Sequence, residues 1–137
     1  MRPLFLFVLT SLAAGCGGSK VGLVSGKVTL DGKPLPNARI NFQPIGDTAY
    51  TGVGSFGQAD EHGEYTLKLI DGKATGAIVG KHRVAISAYD EGKAPDPSDD
   101  RKKGPPDRVP LRYNVQTELT FDVKPGPNTA NFDLKSR

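Results

Sequence analysis

The sequence predicts an all-β protein in which two sheets of about seven short strands in total pack face to face. Between Val24 and Leu134, apolar and polar residues alternate, and no apolar stripe with helical spacing occurs. The 137 residues include 17 Gly and 11 Pro, which favours short strands joined by turns over long helices. Because each alternating strand has one apolar face, a single open sheet would leave that face in water, whereas two packed sheets bury it.

The predicted strands are separated by turn residues. Asp31 and Gly32 form the first turn, Pro44 ends the second strand, and residues 60–63 form another turn. The glycine-rich stretch 52–57 is expected to form a third strand, either bulged or closely approached by other backbone. The side chains expected to face the core are Val24, Val28, Leu30, Ala38, Ile40, Phe42, Tyr65, Leu67, Leu69, Val84, Ile86, Ala88, Leu119, Phe121, Val123, Ala130, Phe132 and Leu134.

Residues 91–110 break the alternation. Proline removes ladder donors and the charged side chains resist burial, so this stretch is predicted to be a solvated loop. Asp96, Asp99 and Asp100 could offer oxygens to Ca²⁺, but they lack the ligand order of an EF-hand, and three basic residues follow them directly. The loop interpretation is therefore preferred to a calcium site.

The N-terminus has the pattern of an export signal. Arg2 precedes the short apolar run 4–9, and small residues lead up to Gly15 and Cys16. The apolar run is well short of the roughly 20 residues that a membrane-spanning helix needs. We therefore expect a signal peptide at 1–15, a flexible tether at 16–22 and a β-sandwich domain at 23–137.

The junction of Gly15 and Cys16 resembles a bacterial lipobox. The resemblance implies cleavage between these two residues and acylation of Cys16 by diacylglycerol and fatty acids such as palmitate. It also implies a domain that is lipid-anchored in the cell envelope, and the absence of Asp at position 17 favours the outer membrane. The alternative is an ordinary signal peptide, which would leave an unpaired thiol in an oxidising compartment.

Composition disfavours several classes of protein. One Cys, one Met, two His and no Trp exclude a disulfide scaffold, a Cys-rich zinc site and a Met-rich copper carrier. The net charge of +3 comes from interspersed charges without a basic stripe, so we expect no nucleic-acid partner. No cofactor is expected.

Three segments together resemble a known family. They run from Val24 to Phe42, from Asp60 to Tyr65 and from Gly80 to Val84, and they are similar to carboxypeptidase regulatory-like domains in small lipoproteins of planctomycete-type bacteria. The resemblance implies a transthyretin-like Greek-key sandwich that serves as an accessory, adhesive or spacer module. The hallmark turn and fold residues are Asp31, Gly32, Asp60, Gly63, Tyr65 and Gly80.

No residue is assigned a catalytic or metal-binding role. His62 is expected in a solvated turn, and His82 at a strand end with a hydrogen-bonded ring. Tyr65 and Tyr113 are expected to bury their rings and hydrogen-bond their hydroxyls, in preference to stacking on a sugar. There is no Gly-x-Ser-x-Gly elbow, and the spacing of Tyr and His does not match an iron-dependent dioxygenase.

The predicted function is a non-enzymatic, membrane-anchored lipoprotein that acts as an interaction or structural module. Its partners would be membrane lipid, through acylated Cys16, and an envelope protein or polysaccharide. One alternative is a carbohydrate- or peptide-binding accessory domain, which requires exposed aromatic residues grouped on one face. Another is a metal-dependent enzyme, which requires His62 and His82 to lie close together beside carboxylates.

Overall fold

Two β-sheets pack face to face in the computed structural model, which describes residues 20–46, 52–90 and 107–137. The predicted all-β sandwich is thereby confirmed. In the described ranges the helical structure is limited to the 3-10 helix Leu111–Tyr113. The strands are β1 (Val21–Leu30), β2 (Lys33–Pro34), β3 (Arg39–Pro44), β4 (Ser55–Gln58), β5 (Glu64–Thr66), β6 (Lys68–Leu69), β7 (Ala77–Ile78), β8 (Gly80–Ser87), β9 (Thr120–Val123), β10 (Pro127–Thr129) and β11 (Phe132–Leu134).

The first sheet is organised around β1. This ten-residue strand pairs in parallel with β10 and then with β11, and it pairs antiparallel with the short strands β7, β5 and β2. Ala130 and Asn131 separate β10 from β11, and the Ala130 N–H still donates to the Ser25 carbonyl across the break. The last strand of the chain is therefore one broken strand that returns along β1.

The second sheet is antiparallel throughout, in the order β6-β4-β3-β8-β9. Its central strand β3 shows the predicted alternation: Ile40, Phe42 and Pro44 are buried, and Arg39, Asn41 and Gln43 are exposed. β8 continues this pattern, with His82, Val84 and Ile86 turned inward. The outward residues of β3, β4 and β8 therefore share one solvent-facing surface.

The core lies between the two sheets and is centred on Phe42. The Phe42 ring lies 5.8 Å from Phe121, 6.3 Å from Phe132 and 5.6 Å from the imidazole of His82, measured between centroids. Among the predicted core residues, Leu30, Leu119 and Phe121 are partly buried at its margin, and the others are buried. Because Phe42 and His82 belong to one sheet and Phe132 to the other, these ring contacts join the two layers.

Two predicted strands differ in detail. The segment of Tyr65, Leu67 and Leu69 was expected to be one strand, but Tyr65 lies in β5 of the first sheet and Leu69 in β6 of the second. Leu67 lies between them, and its N–H donates to the Val24 carbonyl. The third strand begins at Ser55 instead of residue 52. Alternation alone cannot show where a chain passes from one sheet to the other.

Two predicted boundaries are wrong. The flexible tether was placed at 16–22, but Val21 and Gly22 belong to β1 because they pair with β7. The solvated loop was placed at 91–110, but Val109 is 2% exposed and lies in the core. Residues 1–19 and 91–106 lie outside the described residues. The signal peptide, Gly15 and Cys16, and the aspartates 96, 99 and 100 therefore stay predictions.

Candidate functional site

The solvent-facing side of the second sheet is the candidate site. We call it the outer face and define it by nine residues, all with an exposed or half-buried side chain. The alternation that buries Ile40 and Phe42 turns their neighbours in β3 outward, and β4 and β8 follow in register. The residues of the outer face are Arg39, Asn41, Phe56, Gln58, Lys68, Arg83, Ala85, Ser87 and Tyr89.

Two aromatic rings lie on the outer face. Phe56 is 37% exposed and Tyr89 is 38% exposed. The Lys68 ammonium lies 5.1 Å from the centre of the Phe56 ring, and the Arg39 guanidinium carbon lies 5.8 Å from the centre of the Tyr89 ring. These distances fall within cation–π range, so each ring is paired with a cation at a defined position.

Two adjoining hollows lie over part of the outer face. The first, about 430 Å³, lies between Phe56 and Tyr89 and is lined by Arg39, Asn41 and Gln58 among others. The second, about 480 Å³, also reaches Asn41 and Tyr89. Because they share these residues and Ser87, they form a continuous open surface across β4, β3 and β8.

One side of the second hollow is walled by the segment that contains the 3-10 helix. Leu111 and Val115 there are 57% and 82% exposed. Asp107 anchors the segment, since its carboxylate accepts hydrogen bonds from the Ala88 and Val109 N–H groups at 2.8 and 2.9 Å and from the Asn114 amide at 3.0 Å. The wall is therefore fixed to the end of β8.

A further groove, on the first sheet, is less suited to a ligand. It is lined by Lys27, Asp60, Glu64, Tyr65 and Asn131 among others. Two of its polar side chains already serve the fold: Asn131 accepts from the Lys27 N–H at 2.9 Å, and the Asp60 carboxylate accepts from the Glu64 N–H at 3.0 Å. We therefore place the candidate site on the second sheet.

His82 is fully buried in β8 and does not lie at the strand end that the sequence suggested. Its ring is hydrogen-bonded as predicted, with Nδ1 3.0 Å from the Gly80 carbonyl oxygen, while buried Nε2 has no partner among the described residues. Burial lowers the pKa of His82, which favours the neutral ring. In that state Nδ1–H donates to the Gly80 carbonyl.

His62 lies in an exposed turn, as predicted. The Asp60 carboxylate accepts hydrogen bonds from the Glu64 and His62 N–H groups, which lower the pKa of Asp60. Gly63 has φ of +75°, and a Cβ there would come within 2.5 Å of the Val28 carbonyl oxygen. The turn thus requires both hallmark residues, Asp60 and Gly63.

The two histidines therefore occupy different settings, an exposed turn and the core. Across the described ranges, no group of three or more His, Cys, Asp and Glu side chains could hold a metal ion. The same ranges contain no helix that is long and apolar enough to span a membrane.

The other hallmark turn, at Asp31 and Gly32, has left-handed backbone with φ of +52° and +81°. The Asp31 carboxylate accepts from the Ser136 N–H at 3.0 Å and hydroxyl at 2.5 Å, and these bonds lower the pKa of Asp31. Asp31 therefore joins its turn to the C-terminal segment, 105 residues away.

The predicted role of Tyr65 is confirmed. Tyr65 is 4% exposed, and its hydroxyl donates to the Ala130 carbonyl at 2.5 Å. Tyr113 lies in the 3-10 helix and is half-buried against the core, where its hydroxyl accepts from the Lys135 N–H at 3.1 Å. Hydrogen bonding by Arg112 and by the Lys135 N–H lowers the pKa of Tyr113. Both tyrosines therefore join distant segments of the chain.

Sequence reasoning did not identify Phe56 and Tyr89. Phe56 could have been found from its position in the alternation of its strand. Ser55 and Gly57 on either side are buried, so the aromatic side chain points to solvent. Tyr89 follows Ala88, which was predicted to face the core, so the same alternation turns Tyr89 outward, although it borders the stretch assigned to a loop. The sheet brings the two rings onto one surface.

The fold and the site define a β-sandwich protein with an open face that carries aromatic and basic side chains. Comparison with protein-family models and with curated protein sequences returns no match. Among solved structures, the chain is similar to a DUF3823 family protein from Parabacteroides merdae, with 13% identity, a TM-score of 0.41 and coverage of 82% of this chain. The aligned part spans 45% of that protein, less than half of its length.

Proposed function

We propose that the protein is a non-enzymatic interaction module of the bacterial cell envelope, anchored to a membrane by acylated Cys16. The outer face is the observation that carries the interaction role, because exposed aromatic residues and arginine are typical of recognition surfaces. The lipobox-like pattern at Gly15 and Cys16 supports the anchor. β1 begins at Val21, five residues after Cys16, so the sandwich would lie close to the membrane surface.

The resemblance to carboxypeptidase regulatory-like domains supports the same role. The turns that carry it, at Asp31 and Gly32 and at Asp60 and Gly63, adopt the tight geometries that their residues favour. A fold alone does not fix an activity, so the proposal depends on the surface and on the anchor.

The anchor can be tested by expressing the full chain in a bacterial host and separating detergent and aqueous phases. We expect the wild-type protein in the detergent phase and Cys16→Ser in the aqueous phase. Ser19→Ala, three residues further on, is the matched control and should behave as wild type. If wild type and Cys16→Ser partition alike, the anchoring proposal is wrong.

A second candidate function is supported by the outer face itself. A carbohydrate-binding accessory domain requires exposed aromatic residues on one face, and Phe56 and Tyr89 meet that requirement. Affinity electrophoresis of the detergent-solubilised full chain in gels containing neutral or acidic polysaccharides tests this candidate. Retardation by at least one polysaccharide, reduced in Phe56→Ala, is expected. Migration unaffected by every polysaccharide would exclude it.

A further inference from the structure

The outer face carries an excess of positive charge. Arg39 lines the first hollow, and Lys68 and Arg83 lie on the outer face outside both hollows. Among the described residues that line the two hollows, the one carboxylate is that of Asp107. Asp107 is already engaged by three N–H donors. The ion pairs found in the described part of the chain are Asp71–Lys73 and Asp122–Lys124, neither of which involves these three cations. The face therefore favours an anionic ligand.

Two of these three cations lie next to the aromatic rings of the outer face. Lys68 lies over the Phe56 ring and Arg39 over the Tyr89 ring. A sugar ring offers apolar C–H groups that pack on aromatic surface. The Arg39 guanidinium can bind a carboxylate through two hydrogen bonds, and the Lys68 ammonium can pair with a carboxylate as a point charge. Each ring–cation pair can therefore contact both the ring and the acid group of one acidic sugar.

Hydrogen-bonding side chains lie between the two aromatic rings. Asn41 and Gln58 supply amides, and Ser87 supplies a hydroxyl, all in the hollow between Phe56 and Tyr89. Asn41 in β3 pairs with Phe56 in β4 on one side and with Ala85 in β8 on the other. From Phe56 to Ala85 the surface therefore crosses two strand spacings, about 10 Å. That width can accommodate an oligosaccharide.

A peptide fits this surface less well than a sugar chain. Extended peptides commonly add to the exposed edge of a sheet, through main-chain hydrogen bonds. The hollows lie instead over β4, β3 and β8, where β3 and β8 are paired on both sides. Amide, hydroxyl and guanidinium groups around two aromatic rings provide what a hydroxyl-rich, charged chain requires.

We infer that the outer face binds an acidic polysaccharide whose sugars carry carboxylates. The carboxylates lie against Arg39, Lys68 and Arg83, and the sugar rings lie against Phe56 and Tyr89. This inference rests on the proposed carbohydrate-binding role and adds its ligand class.

The test uses the detergent-solubilised full chain and two carboxylated probes, polygalacturonate and alginate. Methyl-esterified polygalacturonate keeps the sugar backbone and loses the charge. We expect calorimetric binding to at least one carboxylated probe and at least tenfold weaker binding to the ester. Raising the salt concentration should weaken the interaction because the charges are exposed.

Variants test whether binding occurs at the outer face or depends only on the positive charge of the protein as a whole. Arg39→Gln, Arg83→Gln and Tyr89→Ala should each weaken binding about tenfold. Lys27→Gln removes an exposed cation from the first sheet and should leave the affinity unchanged. Thermal melts of all four variants must match wild type, since each side chain lies outside the core.

Each contrary result has a distinct meaning. Equal binding of polygalacturonate and its ester would overturn the acidic specificity and leave the carbohydrate-binding proposal standing. Tighter binding of polyglutamate than of either polysaccharide would make the partner an acidic peptide and overturn the inference. Binding of neither carboxylated probe would also overturn it, while the anchor is decided independently by the partitioning of Cys16→Ser.

Discussion

The Tyr65 hydroxyl donates a 2.5 Å hydrogen bond to the Ala130 carbonyl, across 65 residues of sequence. The same carbonyl lies over Gly26, where an added Cβ would be 1.8 Å from the oxygen. Gly26 and Tyr65 are also directly paired across β1 and β5. These three residues hold the break between β10 and β11 against the central strand of the first sheet.

Replacing Tyr65 by Phe removes this hydrogen bond and keeps the buried ring. We expect the free energy of unfolding to fall by about 1 to 3 kcal/mol, because a buried carbonyl loses its donor. Chemical denaturation measures the change. Tyr113→Phe is the matched control, and its loss should be smaller because its bond to the Lys135 N–H is exposed. Equal losses in the two variants would contradict the special role of Tyr65.

Replacing Gly26 by Ala places a methyl group against backbone. Since the Ala130 carbonyl cannot move without breaking its bond to Tyr65, we expect a loss of about 3 kcal/mol or more in the free energy of unfolding. Gly32→Ala is the control: its φ is +81°, but no atom lies within 4 Å of the added Cβ. Backbone strain alone should cost about 1 to 2 kcal/mol there. Similar losses in Gly26→Ala and Gly32→Ala would indicate that backbone strain, and not steric crowding, sets the cost of both substitutions.

The buried His82 should make stability depend on pH. Its pKa is lower in the folded protein than in the unfolded chain, so the unfolded state binds more protons and stability rises with pH. We expect a lower free energy of unfolding at pH 5 than at pH 7.5, with the decline beginning below the ordinary histidine pKa of about 6.5.

His82→Phe tests this dependence, because phenylalanine fills the site beside Phe42 without a titrating group. The fall in stability between pH 7.5 and pH 5 should shrink in this variant. His62→Gln, at the other histidine of the chain, is the matched control. An unchanged decline in His82→Phe would show that another group is responsible.

The Asp31–Ser136 contact predicts a site-specific titration. Because both hydrogen bonds favour the carboxylate, its pKa is depressed, and the resulting stabilisation is lost as the pH falls through the folded-state pKa. Ser136→Ala removes the hydroxyl donor and should raise the Asp31 midpoint in a carboxyl NMR titration. Asp60, whose donors belong to its own turn, should keep its midpoint. If the midpoints of Asp31 and Asp60 shift together in Ser136→Ala, a general charge effect is responsible.

Much of the local architecture follows from the sequence. The alternation of Ile40 and Phe42 with Arg39 and Asn41 predicts β3 and its buried face, and the residues at 60–63 predict their turn. These features are local, since neighbouring side chains of a strand point to opposite sides.

What the sequence did not predict depends on contacts between distant segments. Alternation could not show that the chain changes sheets between Tyr65 and Leu69, because both residues are buried in either case. It could not place Val109 in the core, because proline and charge dominate the surrounding stretch.

The sequence by itself determined the all-β class, the turns and the inward set of side chains, because each depends on residues close together in the chain. Only the tertiary structure decided that Phe56 and Tyr89 share a surface with Arg39 and Lys68. Strand pairing sets which outward residues become neighbours, and the order β6-β4-β3-β8-β9 differs from the order of the chain. The candidate site is a product of that pairing.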